Sequence, residues 1–454
     1  MIAAPTSASG KTTVTAALMR LLADKGYKVG AFKCGPDYID TQLHSKILGV
    51  PSINLDLFFT DDTTVRYLLE KHSEGRDISI IEGVMGYYDG LAGRSAAASS
   101  YDIARTTDTP VIFVADVKGM SLSAAALLKG FIEYRADSNI KGVIFNRCSK
   151  GMFEILKGIV EEQLNIKVLG YLPVLDECVF SSRHLGLMLP DEIDDLDKKL
   201  AMLAKTLEQT LDLEELFKIA QTPCQVEENK MTDVSEISAL SRSSQKPRVK
   251  IAVAKDEAFC FYYADNLSLL EDFGAELEYF SPIHDTVLPS GTAGILLGGG
   301  YPENYARQLS ENTQMLSAIK TAILDKNIPC LAECGGFLYL HGYMEDLEGK
   351  SWKMADVIDA KAAYQGKLSR HFGYVTITDG QTGMSIKGHE FHYYESTDNG
   401  AECTAQKPFS NKKWDCIHKK GRDGRGDLSA GFAHLYYYSN PSFIKAFLER
   451  CRKA

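Results

Sequence analysis

None of the ten cysteines (Cys34, Cys148, Cys178, Cys224, Cys260, Cys330, Cys334, Cys403, Cys416, Cys451) stands in a CxxC pair, which argues against both a zinc site and a disulfide framework. No apolar run reaches the roughly 18 residues that cross a bilayer, so no membrane segment is expected. The start, MIAAPTSASGK, lacks a basic region followed by a long apolar stretch; a secretory signal is not read there, and a cytoplasmic protein is expected. Positive charge is in deficit, with 50 Lys and Arg against 60 Asp and Glu and a formal net charge of −10. That balance weighs against non-specific nucleic-acid binding and leaves room for an anionic small substrate where positive groups are local. No repeat of fixed period and no low-complexity tract is present, which sets aside solenoid and array architectures. What remains is the composition of a soluble globular protein, 45% apolar and 24% charged, in a chain of 454 residues. At about 100–200 residues per domain that length implies two to three domains, and two are expected.

Short apolar runs alternate with helical stretches through the first half: IAA at the start, KVGAFK, ISIIEGV, TPVIFVADV, KGVIFNRC and KVLGYLP. Runs apolar on nearly every position are what strands covered on both faces require, so the fold class is α/β with a parallel sheet. After an acidic helical stretch (Leu189 to Ala220), residues 221–247 are polar and weakly periodic and are read as a linker between domains at 1–220 and 248–454. The α/β pattern restarts at VKIAVAKDEAF, continues through GILLGGGYPE and IPCLAECGG, and turns into shorter strands toward the C-terminus.

Two motifs carry chemistry. PTSASGKTT (Pro5 to Thr13) runs from a short strand through a turn into a helix, placing backbone N–H groups and a helix N-terminus where phosphate oxygens can sit. Ser9, Gly10, Lys11, Thr12 and Thr13 are the expected ATP-binding residues, with Lys11 reaching the β and γ phosphates and Thr12 ligating Mg²⁺. Pro5 stands where the full pattern has glycine, and a simple helix cap by Ser9 is the alternative. GPDYID follows the second strand and EGVMGYYDG the third, so Asp37, Asp40, Glu82 and Asp89 lie beyond strand C-terminal ends, the edge where open α/β sheets bind ligands. Glu82 is the expected second Mg²⁺-holding group; the bland reading of all four is capping of helices and turns. Lys33 is placed to neutralise a substrate or phosphate oxygen, and Asn146, ending a strand, to read an adenine edge.

The second motif, LAECGGFLY (Leu331 to Tyr339), reads as strand, sharp turn and helix, with Gly335 and Gly336 allowing the strained backbone that projects Cys334 as a nucleophile. GGGYPE (Gly298 to Glu303) follows a strand and offers unobstructed backbone N–H groups, so Gly299, Gly300 and Gly335 are the expected oxyanion donors. His434 is the expected base, in competition with His341, His371, His389 and His392. A metal pair at His389 and His392 is rejected for want of further ligands nearby. A phosphate loop and a thiol nucleophile in one chain point to ATP hydrolysis coupled to glutamine-derived ammonia.

PTSASGKTT, FKCGPDYID, EGVMGYYDG, LLGGGYPE, LAECGGF, GHEFHYYE and GFAHLYYYSNP occur in the order found in the cobyrinate a,c-diamide synthases, which the chain resembles over essentially its whole length. The resemblance implies a dethiobiotin-synthetase-like P-loop domain fused to a class I, triad-type glutamine amidotransferase domain. It implies ATP-dependent amidation of the c and then the a carboxylate of a corrin macrocycle, with ATP, glutamine and a corrinoid tetrapyrrole as small-molecule partners and Mg²⁺ as cofactor. By position, Asp40, Glu82 and Asp89 would belong to the ATP, Mg²⁺ and substrate-activating site, Asp37 and Tyr38 to the same motif, and Cys334 and His434 to the glutaminase pair. Where many class I amidotransferases carry a glutamate two residues after the histidine, this chain has Tyr436, so a dyad or an orienting carboxylate from elsewhere is required. Relatives acting on hydrogenobyrinate or nickel sirohydrochlorin would keep the same motifs. A P-loop regulatory ATPase with an inactive amidotransferase-like binding module is the non-enzyme alternative.

Overall fold

VIFVAD and IKGVIFN can be buried on both faces because, apart from the exposed Lys141, neither carries a polar side chain until its last position. In the computed structural model, which describes residues 1–178, 180, 182–183, 186–221 and 248–454, these runs form two inner strands of a seven-stranded sheet. Its strands are β1 (Ile2–Ala3), β2 (Val29–Cys34), β3 (Ser52–Leu55), β4 (Ile78–Glu82), β5 (Val111–Asp116), β6 (Ile140–Asn146) and β7 (Lys167–Leu172). Their order is β3-β2-β4-β1-β5-β6-β7 and every pairing is parallel, the α/β class read from the sequence.

β3 is absent from the sequence reading, and EGVMGYYDG therefore follows the fourth strand rather than the third. The reason is chemical. Ser52 and Asn54 interrupt its apolar pattern, yet both are buried and paired, Ser52 Oγ with His44 Nδ1 at 3.1 Å and Asn54 Nδ2 with the carbonyls of Gly35 and Asp37 at 2.8 and 2.9 Å. The acidic stretch before Ala220 resolves into helices Leu196–Thr210 and Leu213–Ala220; Leu200, Leu203 and Leu207 share a core with Val14, Leu18 and Leu22 of helix α1 (Lys11–Asp24). Two short strands, β8 (Ser182–Arg183) and β9 (Gly186–Leu187), pair antiparallel before them.

The chain divides into two compact units, Met1–Val234 and Ser235–Ala454. Apart from Gln221, the expected linker at 221–247 lies outside the described residues, as does Cys224. The second unit is built on a parallel sheet, β11-β10-β12-β13-β22, from β10 (Val249–Ala254), β11 (Ala275–Phe280), β12 (Gly294–Leu297), β13 (Cys330–Glu333) and β22 (Leu428–Gly431). Two smaller sheets complete it. One has the order β15-β14-β16-β19, from β14 (His341–Glu345), β15 (Ser351–Lys353), β16 (Ile358–Tyr364) and β19 (Tyr394–Ser396). The other is antiparallel, β21-β20-β17-β18-β23, from β17 (Gly373–Asp379), β18 (Ser385–Glu390), β20 (Cys403–Gln406), β21 (Lys413–Cys416) and β23 (His434–Leu435). Among the described residues no helix is long and apolar enough to cross a membrane.

Candidate functional site

In the first unit the chain leaves β1, turns through Pro5 to Gly10 and enters α1. Gly10 has φ 92°, and a Cβ there would come within 2.0 Å of Asn146 Nδ2, so the loop closes only with glycine at this position. Asn146, at the end of β6, donates Nδ2 to the Ser9 carbonyl at 3.0 Å. Its Nδ2 thus helps to hold the loop. Ser9 does not cap α1 either: the N-cap is Gly10 with no side-chain bond, and the Ser9 hydroxyl pairs with Thr6 Oγ1 at 3.0 Å. Lys11 is buried and donates Nζ to the carbonyls of Met85 at 2.6 Å and Thr6 at 3.1 Å. Burial, and then the nearby Lys33 ammonium, bring its pKa down to about 8, the state of a cation short of counter-charge at which an anionic oxygen would be welcome. Thr13 stands in the first turn of α1.

One residue further, Thr12 Oγ1 donates to Glu82 Oε1 at 2.7 Å. Glu82, fully buried at the end of β4, also takes Lys33 Nζ on Oε1 at 3.0 Å and pairs with His44 Nε2 through Oε2 at 2.8 Å. Lys33 Nζ reaches Asp40 Oδ2 at 2.5 Å as well. The ammonium, expected to meet substrate or phosphate, is enclosed by two carboxylates and the Gly83 carbonyl, and Lys33 as a residue is 2% exposed. Burial alone would raise Glu82, but the Lys33 ammonium and the hydrogen bonds from His44 and Thr12 outweigh it and hold the carboxyl well below the usual range. Asp40 moves the other way, raised by burial and by Asp37, with Lys33 opposing.

Helix α2 (Ile39–Leu48) supplies both Asp40 and His44, one turn apart on its buried face. That i, i+4 spacing was the available signal for His44, which the sequence reading missed. Asp37 does what the bland reading anticipated, accepting the N–H groups of Ile39 and Asp40 on Oδ1, both at 2.9 Å, with Tyr38 buried beside it. Asp89 is exposed and accepts the Gly86 N–H at 3.0 Å. Thr12, Lys33, Asp40 and Glu82 therefore share one network, which Asp37 and Asp89 border without entering.

In the second unit β13 ends at Glu333 and a helix begins at Gly335, leaving Cys334 alone at φ 48°, ψ −102°. A non-glycine residue is strained there, as a nucleophile elbow requires. The Cys334 N–H is tied to the Gly431 carbonyl at 2.8 Å, and Gly335 N–H points at the thiol. Burial, followed by the Glu303 carboxyl, pushes the thiol pKa up, so it needs a base to become a thiolate. The Gly298–Gly300 turn lies between the two expected partners. A Cβ on Gly335 would sit 3.2 Å from Gly300 N, and one on Gly299 would sit 2.2 Å from His434 Cε1.

His434, on β23, is buried and opposite His389 in register. Burial, then His389 and His392, bring its pKa down to about 3, which leaves the imidazole neutral. Of the four competing histidines, His389 packs against the rings of Phe372 and Tyr374, and the others have further engagements. His341 uses both ring nitrogens, on the Phe337 carbonyl and Ser396 Oγ; His371 stacks on Trp414; His392 stacks on Phe432 and binds the Tyr394 carbonyl. Gly299→Ala is expected to lower glutaminase turnover about 10²-fold by displacing the imidazole, a step of kcat measured with glutamine alone.

Residues 1–184 match the CobQ/CobB/MinD/ParA nucleotide binding domain and residues 250–441 the CobB/CobQ-like glutamine amidotransferase domain. A cobyrinate a,c-diamide synthase of Caldanaerobacter subterraneus subsp. tengcongensis is 41% identical over 99% of this chain and 98% of its own. The chain belongs to the cobyrinate a,c-diamide synthase family. Cobyrinate a,c-diamide synthases of Listeria innocua, 41% identical over 98% of this chain and 97% of theirs, and of Priestia megaterium, 35% identical over 100% and 97%, extend the match. Membership of the cobyrinate a,c-diamide synthases makes the chain an amidating carbon-nitrogen ligase with a nucleotide-binding unit and a glutamine amidotransferase unit.

Proposed function

We propose that the protein amidates the a and c carboxylates of cobyrinate in cobalamin synthesis, activating each as an acyl phosphate with ATP and supplying ammonia from glutamine. A carboxylate is a poor acceptor for ammonia because its oxygen leaves badly; transfer of the γ-phosphoryl group makes phosphate the leaving group. The observation that carries the reading is the chain of contacts from the phosphate loop through Thr12 to Glu82, Lys33 and Asp40 at the C-terminal edge of the sheet.

Mg²⁺ fits the donors present: a hydroxyl at Thr12 and a carboxylate held ionised at Glu82 are hard oxygens of the kind it takes, completed by phosphate and water. When bound, the ion would neutralise charge on the β and γ phosphates. Lys11, fixed between two carbonyls at the loop, contributes the same neutralisation from the protein side. Lys33 keeps Asp40 and Glu82 in place without spending its charge on the ligand.

At the other unit Cys334 attacks the side-chain amide of glutamine while His434 takes the thiol proton and passes it to the departing ammonia; water then hydrolyses the thioester and releases glutamate. The N–H groups of Gly335 and of the Gly299–Gly300 turn are the proposed donors to the tetrahedral oxyanion. The test is product mass after incubation with MgATP, glutamine and, separately, cobyrinate, hydrogenobyrinate and nickel sirohydrochlorin. Two successive amide substitutions on cobyrinate support the reading; turnover of only one of the other macrocycles rejects the substrate.

A further inference from the structure

Position 436, two residues beyond His434, carries a tyrosine whose hydroxyl lies 3.4 Å from Asp265 Oδ2, so no carboxylate at that position orients the base. β23, which carries His434, is only two residues long. The imidazole lies close against Gly299, so the placement of the strand sets the placement of the ring.

The groups that hold it are buried side chains from two other elements. Glu333, last residue of β13 and 6% exposed, accepts the Leu435 N–H and, at 3.2 Å, the Tyr437 hydroxyl. Asn266, in helix Ala264–Asp272, donates Nδ2 to the Leu435 carbonyl at 2.7 Å and accepts the Tyr437 N–H on Oδ1 at 2.8 Å. Both backbone polar groups of the residue after His434 are thereby fixed, one of them by the residue immediately before Cys334.

Resting on the reading of Cys334 and His434 as nucleophile and base, we propose that Glu333 is a positioning residue of the glutaminase site. It locks the strand that carries the base to the elbow that carries the nucleophile, with Tyr437 and Asn266 completing the brace. The carboxyl is suited to this: burial pushes its pKa up to about 8, against the opposing hydrogen bonds from Leu435 and Tyr437, so at neutral pH it is largely an uncharged hydrogen-bonding group. Ionised, it would raise the thiol pKa further, since its charge acts on Cys334 alongside those of Glu303 and Glu390. The hydroxyls of Tyr437 and Tyr262 beside it stay protonated through this range, and Glu303 is pushed up to about 7 by its own burial.

The experiment measures glutaminase kcat and KM against pH for the full chain and for Glu333→Ala, Glu333→Gln and Tyr437→Phe. Ammonia-dependent amidation is followed in each variant as a check on folding. Glu333→Ala is expected to lose about 10²-fold in kcat with KM changed by no more than about threefold, because the base is misplaced while the substrate still binds. Glu333→Gln, an uncharged acceptor of the same shape, is expected to restore kcat near pH 7 to within about threefold and to exceed the parent enzyme above pH 8, where the parent gains a charge beside its thiol. Wild-type kcat in Glu333→Ala, a loss confined to KM, or a Glu333→Gln variant as impaired as the alanine would each overturn the proposal. Should Glu333→Ala lose ammonia-dependent activity too, Glu333→Gln and Tyr437→Phe decide, the latter expected to fall about tenfold in kcat. Retention of glutaminase activity in Cys334→Ser or His434→Ala would instead remove the underlying reading.

Discussion

Cys334→Ser is expected to abolish glutamine-dependent amidation, with glutaminase turnover down on the order of 10⁴-fold or more, while amidation supplied with an ammonium salt continues at the parent rate. Serine fits the site without strain beyond what cysteine already bears at φ 48°, so the elbow should persist. What is lost is the proposed nucleophile: a thiol whose pKa is raised by burial would have to give up its proton to react, and a hydroxyl in the same place is far less acidic. The residues proposed for the ATP-dependent half reaction, from the phosphate loop to Glu82, belong to the other unit and should not sense the change. Steady-state rates with glutamine and with ammonium as nitrogen source provide the check; equal loss with both would mean that Cys334 acts in the folding of the chain and not in glutamine hydrolysis.

Glu82→Gln should have the opposite selectivity. Both nitrogen sources are expected to fail by about 10²–10³-fold, because the carboxylate that bonds Thr12 and is the proposed second Mg²⁺ ligand is gone, whereas glutamine alone is still hydrolysed. The unit should also be less stable. Lys33 is 2% exposed and would keep Asp40 as its one remaining carboxylate, so the loss approaches the lower end of what removing one partner of a buried ion pair brings, about 3 kcal/mol. Thermal melts of the parent and the variant read that term separately from rate. A variant that melts as the parent does and still amidates with ammonium would contradict the placement of Glu82 at the centre of the site.

The parts of these sites that could be read in the sequence are those whose chemistry is local. Gly10 and Lys11 belong to one loop, Cys334 to one strand-turn-helix corner, and each needs its neighbours in a fixed order along the chain. The parallel sheets were legible for the same reason, since β2, β5 and β6 announce their burial in their own composition. Hidden elements are those whose polar groups are satisfied from far along the chain. β3 goes unread because Ser52 and Asn54 break its apolar pattern, and their partners, His44 and the carbonyls of Gly35 and Asp37, come together only in the fold. Lys33, expected at a substrate or phosphate oxygen, is enclosed by Asp40 and Glu82, and Glu333 is bonded by Leu435 and Tyr437 from far along the chain.

The most direct test of the account follows two labels in one reaction. Cobyrinate carrying heavy oxygen in its carboxylates is turned over with MgATP and glutamine carrying heavy nitrogen in its side-chain amide, and phosphate and product are weighed by mass spectrometry. Activation as an acyl phosphate followed by attack of glutamine-derived ammonia predicts one heavy oxygen in phosphate for each amide formed and heavy nitrogen in both new amides. Amides that form while the phosphate remains unlabelled would contradict the account.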